Sequence, residues 1–327
     1  MRLPRRQLLQ LAASAAALPA VSPMALAEAY PSRPITMIVP FGAGGPTDVS
    51  GRIMAEGMRR SLGQPVILEN VTGADGSIGV GRTARTRPDG YTIDLGIMST
   101  HVLNGAFYSL PYDLLNDFSP IAALWKSVLI IVGRKTLPAK DLPELIAWLN
   151  ANPNKASVAV QAAGLRLLAT YFQNQTGTQF ALVPYRGEAP AMQDLLAGQI
   201  DLMFDAPRTS LPLMRAGSIK AYAVTSDMRL TVAPDVPTFA EMGLPALLLT
   251  AWYALFAPKS TPRSIIDRLN AAAVEALADP AVRFRLAQVG MTIFPRERQT
   301  AQALAAMQKT DADKWWPIIK EFAIKAE

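Results

Sequence analysis

The chain contains no cysteine and a single histidine among its 327 residues. The lack of cysteine excludes a disulfide framework, a thiolate zinc site, an iron–sulfur cluster and a cysteine nucleophile. A serine–histidine–aspartate mechanism could run only through His101, and no G-x-S-x-G or H-E-x-x-H sequence accompanies it. We therefore expect no cofactor and no metal, and the alternative of a periplasmic enzyme needs a nucleophile, metal or cofactor motif that the sequence does not show.

Long hydrophobic runs are missing beyond the amino terminus. A long later uncharged run, residues 242–258, is interrupted by Pro245 and is too short for a bilayer, which needs about 20 apolar residues. Residues 1–27 join three arginines to an Ala/Leu-rich stretch that ends in Ala-Leu-Ala. This pattern predicts a cleaved signal peptide of the Sec or Tat type, and hence export to the periplasm.

The charge balance points away from nucleic acid. The chain has 32 basic and 26 acidic residues, a formal net charge of +6. Cleavage after residue 27 would remove three arginines and no acid, leaving a net charge of +3. Since the basic residues form no cluster, we expect no nucleic-acid partner.

The hydrophobic pattern alternates short apolar runs with helical segments, which is typical of an α/β fold with mainly parallel sheets. Two long apolar stretches, residues 121–132 and 247–257, bracket the middle group of strands and predict two crossings between lobes. We expect domain I to comprise residues 28–127 and 254–327, and domain II to comprise residues 128–253.

A glycine-rich loop, residues 42–48 (GAGGPTD), joins the first predicted strand to a helix. Free N–H groups at a helix start, with the helix dipole behind them, favour an anion. The third glycine of a dinucleotide fingerprint would fall at Thr47, and no Gly-Lys-Ser/Thr follows, which excludes both nucleotide motifs. The alternative is a tight turn in which Asp48 complements the helix dipole.

Residues 99–101 (STH) follow the third predicted strand and could place hydroxyls and amides in the same crevice. The alternative for them is ordinary helix capping. Residues 73–79 contain three glycines and are interpreted mainly as a structural turn.

Several short motifs, taken in order, resemble the Bug/TctC-like family of periplasmic solute-binding proteins of tripartite tricarboxylate transporters. They are YPSRPI at 30–35, VPFGAGGPTD at 39–48, STH at 99–101, LPYD at 110–113, VPYRG at 183–187 and DLLAGQIDLMFD at 194–205. The resemblance implies a periplasmic-binding-protein type II-like fold with two lobes joined by two crossing strands and a ligand cleft between them. It also implies a non-catalytic monomer that passes a small carboxylate ligand to a membrane permease pair.

The ligand-binding candidates lie on the first-lobe loops and the second-lobe strand ends that match the family. They are Phe41, Gly44, Gly45, Asp48, Ser99, Thr100, Gln161, Arg166, Tyr185 and Asp205. The ligand stays open among di- and tricarboxylates, acidic amino acids and aromatic carboxylates. A ligand-sensing protein that signals through a sensor partner is the alternative function.

One departure from the family bears on the ligand. The family usually has a Gly/Ser/Thr-rich loop after the strand at 157–160, whereas residues 161–166 here read QAAGLR. We hypothesise that Arg166, together with Arg208, binds the distal end of the ligand, because a guanidinium matches a carboxylate bidentately. The alternative is that both arginines lie on solvated helix faces.

Overall fold

The computed structural model describes residues 30–160, 163–185 and 187–321. The predicted signal peptide and Gln161 lie outside these residues. Within the three ranges, no helix has the length and apolar character needed to cross a membrane.

The strands within the described ranges are β1 (Ile35–Val39), β2 (Val66–Asn70), β3 (Thr92–Ile97), β4 (Phe118–Ser127), β5 (Ile130–Arg134), β6 (Ser157–Val160), β7 (Ala181–Pro184), β8 (Leu202–Asp205), β9 (Ile219–Val224), β10 (Ala251–Pro258) and β11 (Thr292–Ile293). They form one sheet in the order β11-β4-β10-β3-β1-β2 and a second in the order β7-β6-β8-β5-β9.

The helices are α1 (Pro46–Leu62), α2 (Ser77–Ala84), α3 (Asn104–Phe107), α4 (Leu142–Ala151), α5 (Ala163–Thr176), α6 (Glu188–Ala197), α7 (Pro207–Arg215), α8 (Arg263–Ala278), α9 (Pro280–Gln288) and α10 (Ala301–Glu321). A π-helical turn, Ser99–Leu103, leads into α3.

The predicted two-lobed α/β fold is confirmed, although both sheets are mixed rather than mainly parallel. In the first sheet β1 pairs in parallel with β2 and β3, whereas β10 runs antiparallel to β3 and β4. In the second, β6 pairs in parallel with β7 and β8, and β5 runs antiparallel to β8 and β9. Parallel neighbouring strands need a crossover connection, which is usually a helix. The chain reaches β5 and β10 from the other sheet without such a helix, and each runs antiparallel to its neighbours.

The chain changes sheets within the first predicted crossing. It leaves the first sheet at Ser127 and enters the second at Ile130. It returns to the first sheet between Val224, which ends β9, and Ala251, which begins β10. The second predicted crossing, residues 247–257, overlaps β10. The exact domain boundaries, residues 28–127, 128–253 and 254–327, stay a prediction.

A continuous apolar core joins the two sheets. One cluster of buried side chains includes Leu103 of the π-helical turn, Leu145 of α4, Phe172 of α5 and Trp315 of α10. A second cluster lies on the other face of the second sheet and includes Met192 of α6. Since residues of both lobes share one cluster, their packing contributes to the same hydrophobic stabilisation.

Helix α1 begins where the local sequence predicts. Pro46 occupies its first turn after Gly45, which serves as the N-cap. Ile53, Met54 and Met58 recur at helical spacing and are buried. The helix start is thereby fixed at the carboxyl end of β1.

Candidate functional site

Three connections meet at the carboxyl ends of β1, β2 and β3. Gly76, between β2 and α2, has φ +87, and a Cβ there would lie 2.7 Å from Thr100 Cγ2 and 3.0 Å from Pro40 Cβ. Only glycine suits both the conformation and the space. The structure thus brings together the glycine-rich loop, the turn at residues 73–79 and the residues 99–101 segment.

The Asp48 carboxylate anchors the glycine-rich loop. Its side chain is 3% exposed. Oδ2 accepts from the Gly44 N–H at 3.0 Å and from Arg52 Nε at 2.9 Å, and Oδ1 accepts from Arg52 Nη2 at 2.9 Å and from Asn70 Nδ2 at 3.0 Å. Asn70 Nδ2 also donates to the Phe41 carbonyl at 2.9 Å. Asp48 is therefore held by its own loop and helix.

The pKa of Asp48 follows from the same contacts. Burial favours the neutral acid and is the largest single influence, but the hydrogen bonds from Arg52, Gly44 and Asn70 together outweigh it and lower the pKa. The negative charge of Asp48 is thus paired with the Arg52 guanidinium of α1. This pairing leaves the exposed loop face without a free counter-charge from either group.

The exposed part of the loop offers backbone donors. Gly42 and Ala43 are exposed, and Pro46 at the helix start carries no N–H. The backbone N–H groups of Ala43 and Thr47 make no hydrogen bond to any residue that the structure describes. These donors, at the start of a 17-residue helix, can accept an anion.

The Thr100 hydroxyl is used within the protein. Its Oγ1 accepts from the Ile97 N–H and donates to the Ile97 carbonyl, each at 3.1 Å, and it lies 3.1 Å from His101 Nδ1. Thr100 is buried, whereas Ser99 is half-buried and its hydroxyl has no hydrogen-bond partner in the described part of the chain. Ser99 is therefore the hydroxyl of this pair that stays available to a ligand.

His101 is enclosed in the first-lobe core. Its ring stacks on Phe256 at 4.1 Å, and Nε2 lies 3.8 Å from Asp94 Oδ2. Burial raises the pKa of Asp94 to about 8 and lowers the pKa of His101 to about 3. Because both side chains are fully buried, His101 has no route to a bound solute.

In the second lobe, Asp205 closes the carboxyl end of β8 and is 3% exposed. Its carboxyl accepts a hydrogen bond from Ser210. Burial, the largest influence, and the neighbouring Glu188 raise the pKa of Asp205 to about 7 against the opposing hydrogen bond from Ser210. Asp205 and Glu188 form a carboxyl pair that also accepts from Thr209.

Tyr185 lies at the carboxyl end of β7, and its hydroxyl donates to Asp194 Oδ2 of α6 at 2.6 Å. This hydrogen bond is the main reason that the pKa of Tyr185 rises to about 12. The ring packs against the second apolar cluster. The hydroxyl is thus directed to α6 in this structure.

Arg166 and Arg208 lie in the first turns of α5 and α7. Arg166 is half-buried and Arg208 is exposed, and neither makes an ion pair or hydrogen bond with a residue in the described ranges. Arg208 is close enough to Tyr253 of the first lobe to lower the pKa of that phenol, although burial, the larger influence, raises it. Both arginines therefore carry charge that no described acid neutralises by contact.

Both of these helix starts lie against the first lobe. A Cβ on Gly164 would lie 3.6 Å from Leu103 Cδ1, and a Cβ on Gly290 would lie 3.5 Å from Arg208 Cβ. The first turn of α5 therefore contacts the residues 99–103 segment, and the first turn of α7 contacts Gly290, which lies between α9 and β11.

Three positioning residues were not among the sequence candidates. Arg52 follows Asp48 at the i, i+4 spacing that favours an ion pair, and Asn70 ends β2, so both had a readable signal. Asn104 donates from Nδ2 to the Asp75 carbonyl at 3.0 Å and to Ser77 Oγ at 2.9 Å. No pattern around Asn104 indicates this link.

Comparison with known proteins agrees with this geometry. The family described as "Tripartite tricarboxylate transporter family receptor" (TctC) matches residues 50–324. The periplasmic binding protein BugD is 35% identical, with a TM-score of 0.78 over 91% of this chain and 100% of BugD.

Two further solved structures carry carboxylates. MatC from Rhodopseudomonas palustris, with bound malate, is 35% identical, with a TM-score of 0.77 over 89% of this chain and 100% of MatC. A second R. palustris protein, with adipate, is 29% identical, with a TM-score of 0.79 over 90% of this chain and 99% of that protein. The motif resemblance is thus confirmed, and this chain belongs to the TctC family of solute receptors, a family of binding proteins rather than enzymes.

Proposed function

We propose that this receptor captures a small dicarboxylate in the periplasm and delivers it to the membrane permease pair of a tripartite transporter. The observation that carries the proposal is that both lobes carry unpaired donors, and that the second-lobe donors lie on helix starts that contact the first lobe. The exposed N–H groups of the glycine-rich loop and Ser99 lie in the first lobe, and Arg166 and Arg208 lie at second-lobe helix starts that face it.

The first carboxylate is assigned to the glycine-rich loop. A carboxylate that leaves water needs replacement hydrogen bonds. The N–H groups of Ala43 and Thr47 can supply them with the dipole of α1 behind. Because Arg52 is already paired with Asp48, the loop offers partial charges rather than a full cation, which keeps release possible.

The second carboxylate is assigned to Arg166, assisted by Arg208. Planar guanidinium groups bind carboxylates through two parallel hydrogen bonds. A ligand with two carboxylates would touch both lobes and would stabilise the arrangement in which both contacts form, through its differential affinity for that arrangement. Malate and adipate, found in the two similar R. palustris structures, are molecules of this kind.

The test is a thermal-shift screen of the purified chain with malate, adipate, citrate, glutamate and benzoate, each beside its uncharged amide. A ligand at a hundredfold excess over its Kd adds about 2.7 kcal/mol to the stability of the native state. We expect at least one dicarboxylate to raise the melting temperature while its diamide does not. If none of the acids raises the melting temperature, or if the diamides raise it equally, the proposal is contradicted.

The delivery role is tested separately. The chain would be mixed with membranes that contain the permease pair, with and without the dicarboxylate found in the screen. We expect radiolabelled ligand to accumulate in vesicles only when chain and permease are both present. Accumulation that does not need the chain contradicts the transport role and leaves ligand binding intact.

A further inference from the structure

Asp94 and His101 form a buried polar pair beneath the residues 97–101 turn. Both are fully buried. Asp94 lies opposite Phe256 in the antiparallel pairing of β3 and β10, and the His101 ring stacks on Phe256. The ring also covers Gly96, where any Cβ would collide with it. The imidazole is thus fixed in place by packing alone, with its two nitrogens in different surroundings.

The hydrogen bonds of Thr100 assign the proton on Nδ1. Thr100 Oγ1 has one proton and three polar neighbours at 3.1 Å, namely the Ile97 N–H, the Ile97 carbonyl and His101 Nδ1. A carbonyl oxygen only accepts, so the hydroxyl proton must point to Ile97. All three contacts are hydrogen bonds only if Nδ1–H donates to Oγ1.

The surroundings of Nε2 then decide the charge of the pair. Nε2 faces Asp94 Oδ2 at 3.8 Å, and neither atom has another hydrogen-bond partner in the described residues. An imidazolium–carboxylate ion pair there would remove two charges from water. No lysine or arginine of the described chain contacts the carboxyl, while the Thr83 hydroxyl of α2 opposes the rise in the pKa of Asp94 that burial causes, and burial together with the Asp94 carboxyl raises the pKa of Tyr112.

We propose that Asp94 is a protonated acid facing the lone pair of a neutral His101, and that the two act through Thr100 as positioning residues for the Ser99 turn. A shift of roughly 1 Å in either side chain would bring the Asp94 hydroxyl into hydrogen-bond range of Nε2. The polar chain then runs from Asp94 through His101 and Thr100 to the Ile97 carbonyl. The influence of this polar chain on ligand affinity rests on the proposed function, whereas the protonation of Asp94 does not.

The single histidine makes the first test direct. Labelling the protein with ¹⁵N-histidine gives ring signals from His101 and from no other residue. We expect one protonated and one unprotonated ring nitrogen at pH 7, with the unprotonated nitrogen coupled to both ring C–H protons, which identifies Nε2. Two similar ¹⁵N shifts would mean an imidazolium, and an unprotonated Nδ1 would mean the other tautomer. Either result overturns the assignment.

Two substitutions test the positioning role. Asp94→Asn keeps a donor toward Nε2 without a charge, so we expect the ring signals, the amide shifts of Ser99 and Thr100, and malate affinity to stay as in the wild type. Asp94→Leu removes the donor, and we expect a changed tautomer balance and malate binding weakened about fivefold, the equivalent of one net hydrogen bond. The wild-type and Asp94→Asn spectra remain decisive if Asp94→Leu does not fold.

The outcomes separate the two proposals. If no carboxylate binds the wild type, the proposed function fails, while the ring spectrum still tests the protonation. If malate binds and Asp94→Asn disturbs the ring or the Ser99 amide as strongly as Asp94→Leu, an ionised Asp94 is indicated and the inference is wrong. If Asp94→Leu leaves the Ser99 and Thr100 amides unchanged, the positioning role is wrong.

Discussion

Arg52 and Asp48 lie one helical turn apart on α1, and the Arg52 guanidinium binds the Asp48 carboxylate through two hydrogen bonds. Nε donates to Oδ2 and Nη2 donates to Oδ1, each at 2.9 Å. The same carboxylate receives the Gly44 N–H and the Asn70 amide. The loop at the front of α1 is therefore ordered before a ligand arrives, and an ordered loop loses less conformational freedom on binding.

Replacing Asp48 with asparagine removes the charge that collects these donors. We expect Asp48→Asn to lower the free energy of unfolding by about 1–3 kcal/mol, because hydrogen bonds to a buried charged group are lost or weakened. Carboxylate affinity should fall as well, since the loop loses its anchor. Urea unfolding and calorimetric titration measure the two effects.

Glu56→Gln is the matched control for this variant. Glu56 pairs with Arg59 on the same helix, but its side chain is 47% exposed. Exposed pairs of this kind contribute little, so we expect no resolvable change in the urea midpoint and unaltered binding. Equal losses from the two variants would contradict the anchoring role of Asp48.

Asn70→Asp places a second carboxylate against Asp48. At pH 7 we expect a clear loss of stability, because Asn70 Nδ2 donates both to Asp48 and to the Phe41 carbonyl and an ionised aspartate can do neither. The loss should shrink as the pH falls, since like charges raise the pKa of the new acid and protonation relieves the repulsion.

Asn116→Asp is the comparison for Asn70→Asp. Asn116 also donates to a carboxylate, that of Asp113, but on the surface, where water screens the repulsion. We expect a small effect with little pH dependence, measured by thermal unfolding between pH 5 and pH 8. A similar pH profile for both variants would show that the burial of the Asp48 cluster is immaterial.

Arg166→Ala tests the assignment of the second carboxylate. We expect dicarboxylate affinity to fall about tenfold or more, since a guanidinium–carboxylate hydrogen bond contributes more than a neutral one. Lys155→Ala is the control, because Lys155 is exposed in the same lobe and precedes β6 at the opposite end from α5. Unchanged affinity in Arg166→Ala would favour a solvated arginine.

The buried pair predicts an unusual dependence of stability on pH. The pKa of Asp94 is about 8 in the folded state and near 3.8 when unfolded, so the folded state holds the proton longer. Ionisation of Asp94 therefore does not lower the free energy of unfolding below about pH 4, and lowers it progressively as the pH rises to about 8. We expect Asp94→Asn to match the wild type at pH 4 and to be more stable at pH 8.

His101 acts in the opposite direction. Its pKa is about 3 when folded and 6.5 when unfolded, so between these values the unfolded state binds a proton that the folded state does not, and stability is lost as the pH falls from 6.5 toward 3. Both proteins share this contribution, so it cancels in their difference. Denaturant titrations of the wild type and Asp94→Asn between about pH 4 and about pH 8 measure the difference in their free energies of unfolding. A difference that does not change with pH would contradict a protonated Asp94.

The fold was largely predictable, because short apolar runs alternate with helical segments along the chain. The predicted strand at residues 157–160 forms β6 with those bounds, and three of its four residues are buried. The antiparallel direction of β5 and β10 was not predicted, since it depends on the crossings between sheets and not on any local pattern.

The site was predicted at the level of loops and less well at the level of atoms. Gly76 brings Thr100 close to Pro40, which precedes the glycine-rich loop, whereas the ligand-binding roles of both segments stay a prediction. The Thr100 hydroxyl, however, bonds to Ile97 rather than to a following helix turn, and the His101 carbonyl accepts from Gln308, 207 residues later. Such partners come from tertiary packing, which one sequence window does not contain.

The central claim is that an organic carboxylate binds the backbone N–H groups of Ala43 and Thr47, at the start of α1, which donate to no described residue. An amide-resolved NMR titration with malate and adipate tests it most directly, because it reports each backbone N–H separately. We predict saturable shifts concentrated at Ala43, Thr47 and Ser99. Saturable binding that leaves these amides unmoved and shifts only residues of another surface, such as the groove that Tyr108 and Trp316 line, would contradict it.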